Sequence, residues 1–191
     1  MPLPQTFYDR DPAAVARELL GQTLVVCKEQ RLEGKIVETE AYYGLSDPAS
    51  RASQDGMSRR SRWMWDAPGT TFVYMVHGYW LFNVITESEG TPSGVLIRAV
   101  EPLMGIETMQ RRRDRERIRD LTSGPGKLTI ALGIDKSDNG RLVYRQDSPV
   151  HIARGENIGD GMVATSRRIG VTEDLPRDLR FYVEGNPLVS R

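Results

Sequence analysis

A chain of 191 residues, 39% hydrophobic and 27% charged, is long enough to bury one sizeable core and too short for two full domains. Its 26 basic and 26 acidic side chains cancel, which argues against polyanion binding by net charge, and no apolar run approaches the ~18–20 residues of a membrane span. A single cysteine, Cys27, excludes an internal disulfide framework, and no basic-then-apolar leader opens the chain, so a reducing, cytoplasmic location is expected.

Asp11 as N-cap, Pro12 at the first helical position and Gly21 as a stop predict a short helix through Leu20. Strands are expected near 22–28 and 32–43, with Cys27 as a core strand residue rather than a nucleophile. Residues 44–70 read as a long connection, rich in Gly, Ser and Arg at first and in Trp63-Met64-Trp65 later. Connections of that length are uncommon in small domains unless they bind something. The runs 71–76, 80–86 and 94–101 read as strands, and Met104 to Arg119 as the best helix candidate. Ser123-Gly124-Pro125-Gly126-Lys127 opens a further helix to about Leu132, and strands are expected near 141–145, 149–153 and 180–184, with the stretch Arg167–Val171 beside them. No shift of composition marks a boundary. The expectation is one compact α+β domain over residues 1–191, a mixed, mostly antiparallel sheet with helices around it.

The most informative stretch is Ile36-Val37-Glu38-Thr39-Glu40-Ala41-Tyr42-Tyr43-Gly44. Alternation puts Glu38, Glu40 and Tyr42 on one strand face and Val37, Thr39 and Ala41 on the other. Such a face is either solvated or carries a general base beside an aromatic ring, the pairing that activates water against a flat substrate. The pattern alone leaves both open. Tyr42, Tyr43, Trp63, Trp65, Tyr74, His77, Tyr79 and Trp80 crowd the same region, with Phe72, Trp80 and Phe82 expected inside. Only four of the basic residues are lysine. Arg51, Arg59, Arg60 and Arg62 form one arginine cluster, and six arginines between Arg111 and Arg119 form a second. Such patches can track phosphates on a neutral protein, although a run like the second also suits a solvated helix face.

Other chemistries lack their residues. The 123–128 stretch does not have the spacing of a nucleotide phosphate loop, though a helix N-terminus with Gly, Ser and Lys127 can hold a DNA phosphate. His77, His151 and Cys27 cannot build a conventional zinc site, so no metal is expected, and no Gly-x-Ser-x-Gly elbow is present. Glu38 and Glu40, side by side on one face, cannot flank a bond as a sugar hydrolase requires without a bulge. A non-catalytic nucleic-acid-binding module stays open, because aromatics and arginine suffice for binding.

The strings Ile36–Tyr42, Pro68-Gly69-Thr70 through Tyr74, Asn83-Val84, Leu96–Pro102, Ser123–Leu128 and Arg180–Val183 occur in order. Together, from about residue 6 to 190, they resemble the alkyladenine (3-methyladenine) DNA glycosylase family of the mammalian rather than the helix-hairpin-helix type. The resemblance implies a DNA repair enzyme that flips a damaged purine nucleotide from duplex DNA and hydrolyses its N-glycosidic bond, without a cofactor. By the same resemblance Glu40 is the general base and Arg98 helps hold the water and the carboxylate. A main-chain carbonyl near Ile169 is the third water ligand, Tyr42 and Tyr74 sandwich the base, and Asn83 screens normal guanine. Arg59, Arg60 and Lys127 are expected on DNA phosphates, and the protein is expected to act as a monomer at a bacterial or archaeal nucleoid. Two positions depart from the family pattern. Arg51 replaces a base-contacting histidine, and His77 replaces the tyrosine that plugs the gap left by the flipped nucleotide. A fixed charge at Arg51 disfavours cationic alkylated bases unless it turns toward an acid or phosphate, and neutral bases such as hypoxanthine need further help from protonation or pocket polarity. Lys35, of the wrong strand parity relative to Glu40, leaves the site without a lyase amine, so a monofunctional enzyme is expected.

Overall fold

The computed structural model describes residues 1–190. In chain order it contains α1 (Gln5–Tyr8), α2 (Pro12–Glu18), β1 (Thr23–Cys27), β2 (Arg31–Tyr42), α3 (Arg51–Asp55), β3 (Thr71–Val76), β4 (Tyr79–Thr86) and β5 (Ser93–Met104). There follow α4 (Ile106–Arg113), α5 (Arg119–Thr122), α6 (Pro125–Leu132), β6 (Val150–Ala153), β7 (Val163–Ser166) and β8 (Arg180–Val183). The first long helix is capped as its sequence predicts: the Asp11 carboxylate accepts from the Ala13 and Ala14 amides, and Pro12 leads.

All eight strands join one antiparallel sheet in the order β3-β4-β5-β2-β1-β6, with β8 bridging β2 and β7. The expected α+β architecture is what the chain forms. β2 is its pivot. β5 runs along one edge of it, while β1 pairs with residues 31–35 and β8 with residues 38–40 on the other. Glu38 and Glu40 therefore lie in the middle of the sheet, not at an edge.

Register then decides what meets them. Phe72 pairs with Asn83, Asn83 with Leu96, Leu96 with Glu40, Glu40 with Arg180, and Arg180 with Ser166. Directly paired residues project to the same side, so this row crosses six strands on one sheet face. Tyr42 and Tyr74 sit two positions along β2 and β3 and share that face. Between Ile36 and Thr39 the β2–β5 register shifts twice, skipping Val37 on one strand and Arg98 on the other. Bulges of this kind re-aim side chains beside functional sites, and here Arg98 is turned onto both glutamates.

The opposite face holds the main core. Val73, Phe82, Val84, Val95, Ile97 and Phe181 pack with Val15, Ala16 and Leu19 of α2 and Leu128 and Leu132 of α6. The buried Thr39 hydroxyl donates to the Ala16 carbonyl at 2.7 Å, fixing α2 on the sheet. A smaller cluster of Ala52, Met64, Phe72 and Ile85, with Trp63, Trp65 and Tyr74 against it, anchors the long 44–70 connection to the other face.

Several expected elements differ. The helix expected from Met104 to Arg119 ends at Arg113, because Asp114 takes a left-handed conformation (φ 51°); only Arg119–Thr122 becomes helical again. Six arginines in nine residues repel one another along a helix, and the break spreads them. No strand forms over 141–145, where Leu142 makes one isolated bridge to Thr70. Short, polar β7 was not foreseen, and Arg167–Val171 is loop. The 44–70 connection contains α3 and 3-10 turns at Gly44–Ser46 and Arg62–Trp65. Trp80 and Cys27, both expected in the core, are half-buried, since β4 and β1 end at the surface there.

Gly44 closes the strand at the site. Its φ is 68°, and an ideal Cβ would stand 2.2 Å from the Pro92 carbonyl oxygen. Gly44→Ala is expected to lower unfolding free energy by about 1–3 kcal/mol, from the strained backbone and the contact together, read as a fall in the denaturant midpoint.

Candidate active site

Glu40 and Glu38 are both fully buried, an arrangement that stands only if every carboxylate oxygen finds donors. Glu40 Oε1 accepts the Ile169 amide at 2.8 Å and meets Arg98 Nη1 at 3.2 Å, and its Oε2 accepts the Tyr42 hydroxyl at 2.7 Å. Burial drives the Glu40 pKa above the ordinary carboxylate range, against the opposing pull of Arg98, the Ile169 amide and Tyr42. Tyr42 is pushed well up by burial and by the negative charge of Glu40, so its hydroxyl stays a donor.

Glu38 is bound differently. Its Oε1 accepts Arg98 Nε at 3.0 Å, Arg180 Nε at 2.7 Å and the Ser190 hydroxyl at 2.7 Å; its Oε2 accepts the Ser190 amide at 2.6 Å. Arg98 thus spans the two acids, held by Glu38 through Nε and offering Nη1 to Glu40. Glu38 neutralises the arginines, and Glu40 lies directly behind Tyr42, Arg98 and Ile169.

That cleft, of about 1290 Å³, has Tyr42, Leu96, Arg98 and Ile169 at its floor and His77, Arg51 and Lys127 on its walls. A recess beside it is lined by Tyr42, Arg51, Phe72, Tyr74 and Asn83. The Tyr42 ring is backed by the Arg168 guanidinium, 4.5 Å from its centroid, and the Tyr74 ring is stacked on Phe72 at 4.9 Å. Asn83 Nδ2 is committed to the carbonyls of Phe72 and Leu81 at 3.1 and 3.3 Å, which orients the amide. A buried acid with a raised pKa, bonded to residues that line an aromatic cleft with cationic walls, can take a proton from a water admitted beside a flat, negatively charged substrate.

The family profile described as methylpurine-DNA glycosylase matches residues 6–187. The chain belongs to that family. It is similar to proteins provisionally named 3-methyladenine DNA glycosylase in Salinibacter ruber (44% identical, covering 99% of this chain and 96% of the relative) and Aeropyrum pernix (41%, 99% and 93%). A relative of the same provisional name in Methanoculleus marisnigri is 40% identical over the full length of both chains. Membership makes this chain a DNA glycosylase, a hydrolase of N-glycosyl bonds. No helix among the described residues is long and apolar enough to cross a membrane.

Of the residues singled out from sequence, Arg98, Tyr42, Tyr74, Asn83, Arg51 and Ile169 line the cleft or the recess beside it, and Glu40 lies behind Tyr42, Arg98 and Ile169. Ile169 donates its amide to Glu40. Arg51 lies over the Tyr74 ring at 5.2 Å, with Asp55 the nearest acid at 3.7 Å, longer than a hydrogen bond. His77 stands at the exposed tip of the β3–β4 hairpin. Its φ of 48° and the 85° of Gly78 are those of a two-residue type I′ turn, which explains how the hairpin is so short. Lys127 lines the cleft and donates to the Ser123 hydroxyl at 3.2 Å. Arg59 and Arg60 are exposed in the 56–61 turn and take no part in the lining; Arg113, Arg117 and Arg119, set aside as a helix face, line it instead. Arg168, Arg180 and Ser190 were missed. The partners that join them to the site, Asp47 for Arg168 and Glu38 for Arg180 and Ser190, lie more than 100 residues away in the chain, so no local motif marks them.

Glu38→Gln leaves Arg98 and Arg180 buried against a neutral amide. Chemical denaturation is expected to show a loss of about 3–5 kcal/mol, the cost of breaking a buried pair from one side, and an unchanged midpoint would remove Glu38 from its structural role.

Proposed function

We propose that this glycosylase draws a damaged purine nucleotide out of duplex DNA into the cleft between Tyr42 and Tyr74 and hydrolyses its glycosidic bond with a water activated by Glu40. The observation that carries the reading is the Glu40 carboxylate: fully buried, oriented by three groups that themselves line the aromatic cleft, and raised in pKa. Glu40 takes a proton from water, the oxygen bonds to C1′, and the C1′–N bond breaks with its electrons leaving on the base. A base alkylated on a ring nitrogen is already cationic and leaves neutral; a neutral base such as hypoxanthine leaves as an anion or needs a proton. Arg98 holds the carboxylate while charge develops. Tyr42 and Tyr74 supply stacking surface, worth about 1–3 kcal/mol per ring for an extruded base.

Extrusion leaves a gap in the duplex. His77, planar and exposed at a tight turn between the exposed Met75 and Tyr79, fits the role of plug. The cleft walls continue to Lys127 and to Arg113, Arg117 and Arg119, which suit the phosphates on either side. The chain acts as one glycosylase domain over residues 1–191 in this reading, on double-stranded DNA and as a monomer. Lys35 pairs with Glu101 and Glu156 at 3.1 and 3.4 Å, outside the cleft, which supports hydrolysis without a lyase step.

Single-turnover release of 7-methylguanine and hypoxanthine from defined duplexes tests the mechanism. Glu40→Gln is expected to lower release by about 10²–10⁴-fold while affinity for the damaged duplex persists, and borohydride is expected to trap no adduct with the wild type. Wild-type protein that binds damaged duplexes but releases no base would instead favour a non-catalytic binding module.

Arg51, held over Tyr74 and only loosely paired, adds positive charge beside the base. Two unit charges about 5 Å apart in near-aqueous surroundings repel by ~1 kcal/mol. Arg51→His, assayed at pH 8 where an ordinary histidine is neutral, is expected to raise the 7-methylguanine to hypoxanthine release ratio about fivefold. An unchanged ratio would place the Arg51 charge on phosphate or Asp55.

A further inference from the structure

Arg168 is the most completely engaged cation in the molecule, and nothing in the reaction uses it directly. Its side chain has no exposure. All five of its N–H groups are donated: Nε to Asp174 at 2.9 Å, Nη1 to the Ala41 carbonyl at 2.9 Å and Asp47 at 2.6 Å, and Nη2 to Asp47 at 2.8 Å and Asp174 at 2.6 Å. One planar group thereby ties together three segments distant in sequence: the end of β2, the turn after it and the loop after β7. Its remaining surface, the guanidinium face, covers the Tyr42 ring.

Arg168 adjoins the surroundings of Glu40 in three ways. Ala41 follows Glu40, Ile169 follows Arg168 and donates its amide to Glu40 Oε1, and the covered Tyr42 ring carries the hydroxyl on Oε2. Two of the three groups that orient the carboxylate are thus set by Arg168, and the third, Arg98, is set by Glu38. We propose that Arg168 is a positioning residue for catalysis, holding the Ile169 amide and the Tyr42 hydroxyl on Glu40 and so fixing both the direction of the carboxylate and its affinity for a proton. The inference rests on Glu40 being the base that activates water.

Lysine at 168 keeps the charge but has three donors and no plane, so it cannot grip Asp47, Asp174 and Ala41 together or lie flat on Tyr42. The groups facing Glu40 are Arg98 from β5, Glu38 and Tyr42 from β2, Tyr74 from β3 and the Ile169 amide, with Arg180 of β8 acting through Glu38. Of these, the Ile169 and Tyr42 bonds favour the ionised carboxylate, as does Arg98. Loosening the first two at unchanged charge makes Glu40 easier to protonate. Less base is then ionised at a given pH, and the acid limb of the rate profile moves to higher pH.

The test is single-turnover base release from a 7-methylguanine duplex across pH 5–9 by wild type, Arg168→Lys, Asp174→Asn and Glu40→Gln, with thermal unfolding alongside. Folded Arg168→Lys is expected to release base about 10–100-fold more slowly, the effect of a misplaced reacting group, with its acid limb shifted up by about half a pH unit or more. Asp174→Asn, which weakens the clamp without cutting it, is expected to move both in the same direction by less. A folded Arg168→Lys with the wild-type limb and rate, or a loss that only tracks its unfolded fraction, overturns the proposal. If Arg168→Lys does not fold, an unmoved acid limb in Asp174→Asn overturns it. Full activity in Glu40→Gln would overturn the underlying mechanism instead, a result independent of either clamp variant.

Discussion

Two fully buried carboxylates, two residues apart on the central strand, set the terms for the rest of this molecule. Moving an ion of that size into a protein interior costs several kcal/mol after relaxation, and the cost is offset only where hydrogen bonds and opposite charge surround it. For Glu38 and Glu40 the surroundings come from β5, from β8, from the loop after β7 and from Ser190. The last quarter of the chain supplies Val150, Ile152, Leu179 and Phe181 to the main core. It also brings Ile169, Arg180 and Ser190 onto acids laid down near residue 40. The fold can be read as a device for burying two negative charges safely while leaving one of them reactive.

The two acids differ because their donors differ in kind. Glu38 is neutralised by two guanidinium groups and has no free direction. Glu40 shares one of those groups and otherwise receives a neutral amide and a neutral hydroxyl, so burial outweighs stabilisation and its pKa rises. A base must be ionised to act yet willing to take a proton, and a raised carboxylate comes nearer that condition at neutral pH. The paired bulges that skip Val37 and Arg98 make this division possible, since without them Arg98 would follow the regular pleat.

Much of this was legible in the order of residues. Strand alternation placed Glu38, Glu40 and Tyr42 on one face, and the family strings picked out Arg98, Tyr74 and Asn83 from elsewhere in the chain. What stayed hidden was the burial of that face. A strand reading Glu-Thr-Glu with a tyrosine next resembles a solvated edge, and only β8, paired from 140 residues away, turns it into an interior. The arginine run from 111 was legible as charge but not as shape, because the left-handed Asp114 that opens the helix is an exception to its own periodicity. Arg168 was invisible for a different reason: its five donors go to two aspartates and a carbonyl that no spacing rule connects.

The excess of arginine over lysine takes on meaning in that light. Base composition could account for a surface rich in arginine, but not for where the buried ones stand. Arg98, Arg168 and Arg180 are each largely buried and each joins elements far apart in sequence. Arg98 must touch two acids at once through different nitrogens, and Arg168 must satisfy four oxygens in one plane while presenting a flat face to Tyr42. An ammonium is a point charge with a tighter hydration shell and can do neither. The requirement at these positions is therefore geometric before it is electrostatic: a rigid, permanently charged fork lets separate segments of a small domain agree on the direction of one carboxylate.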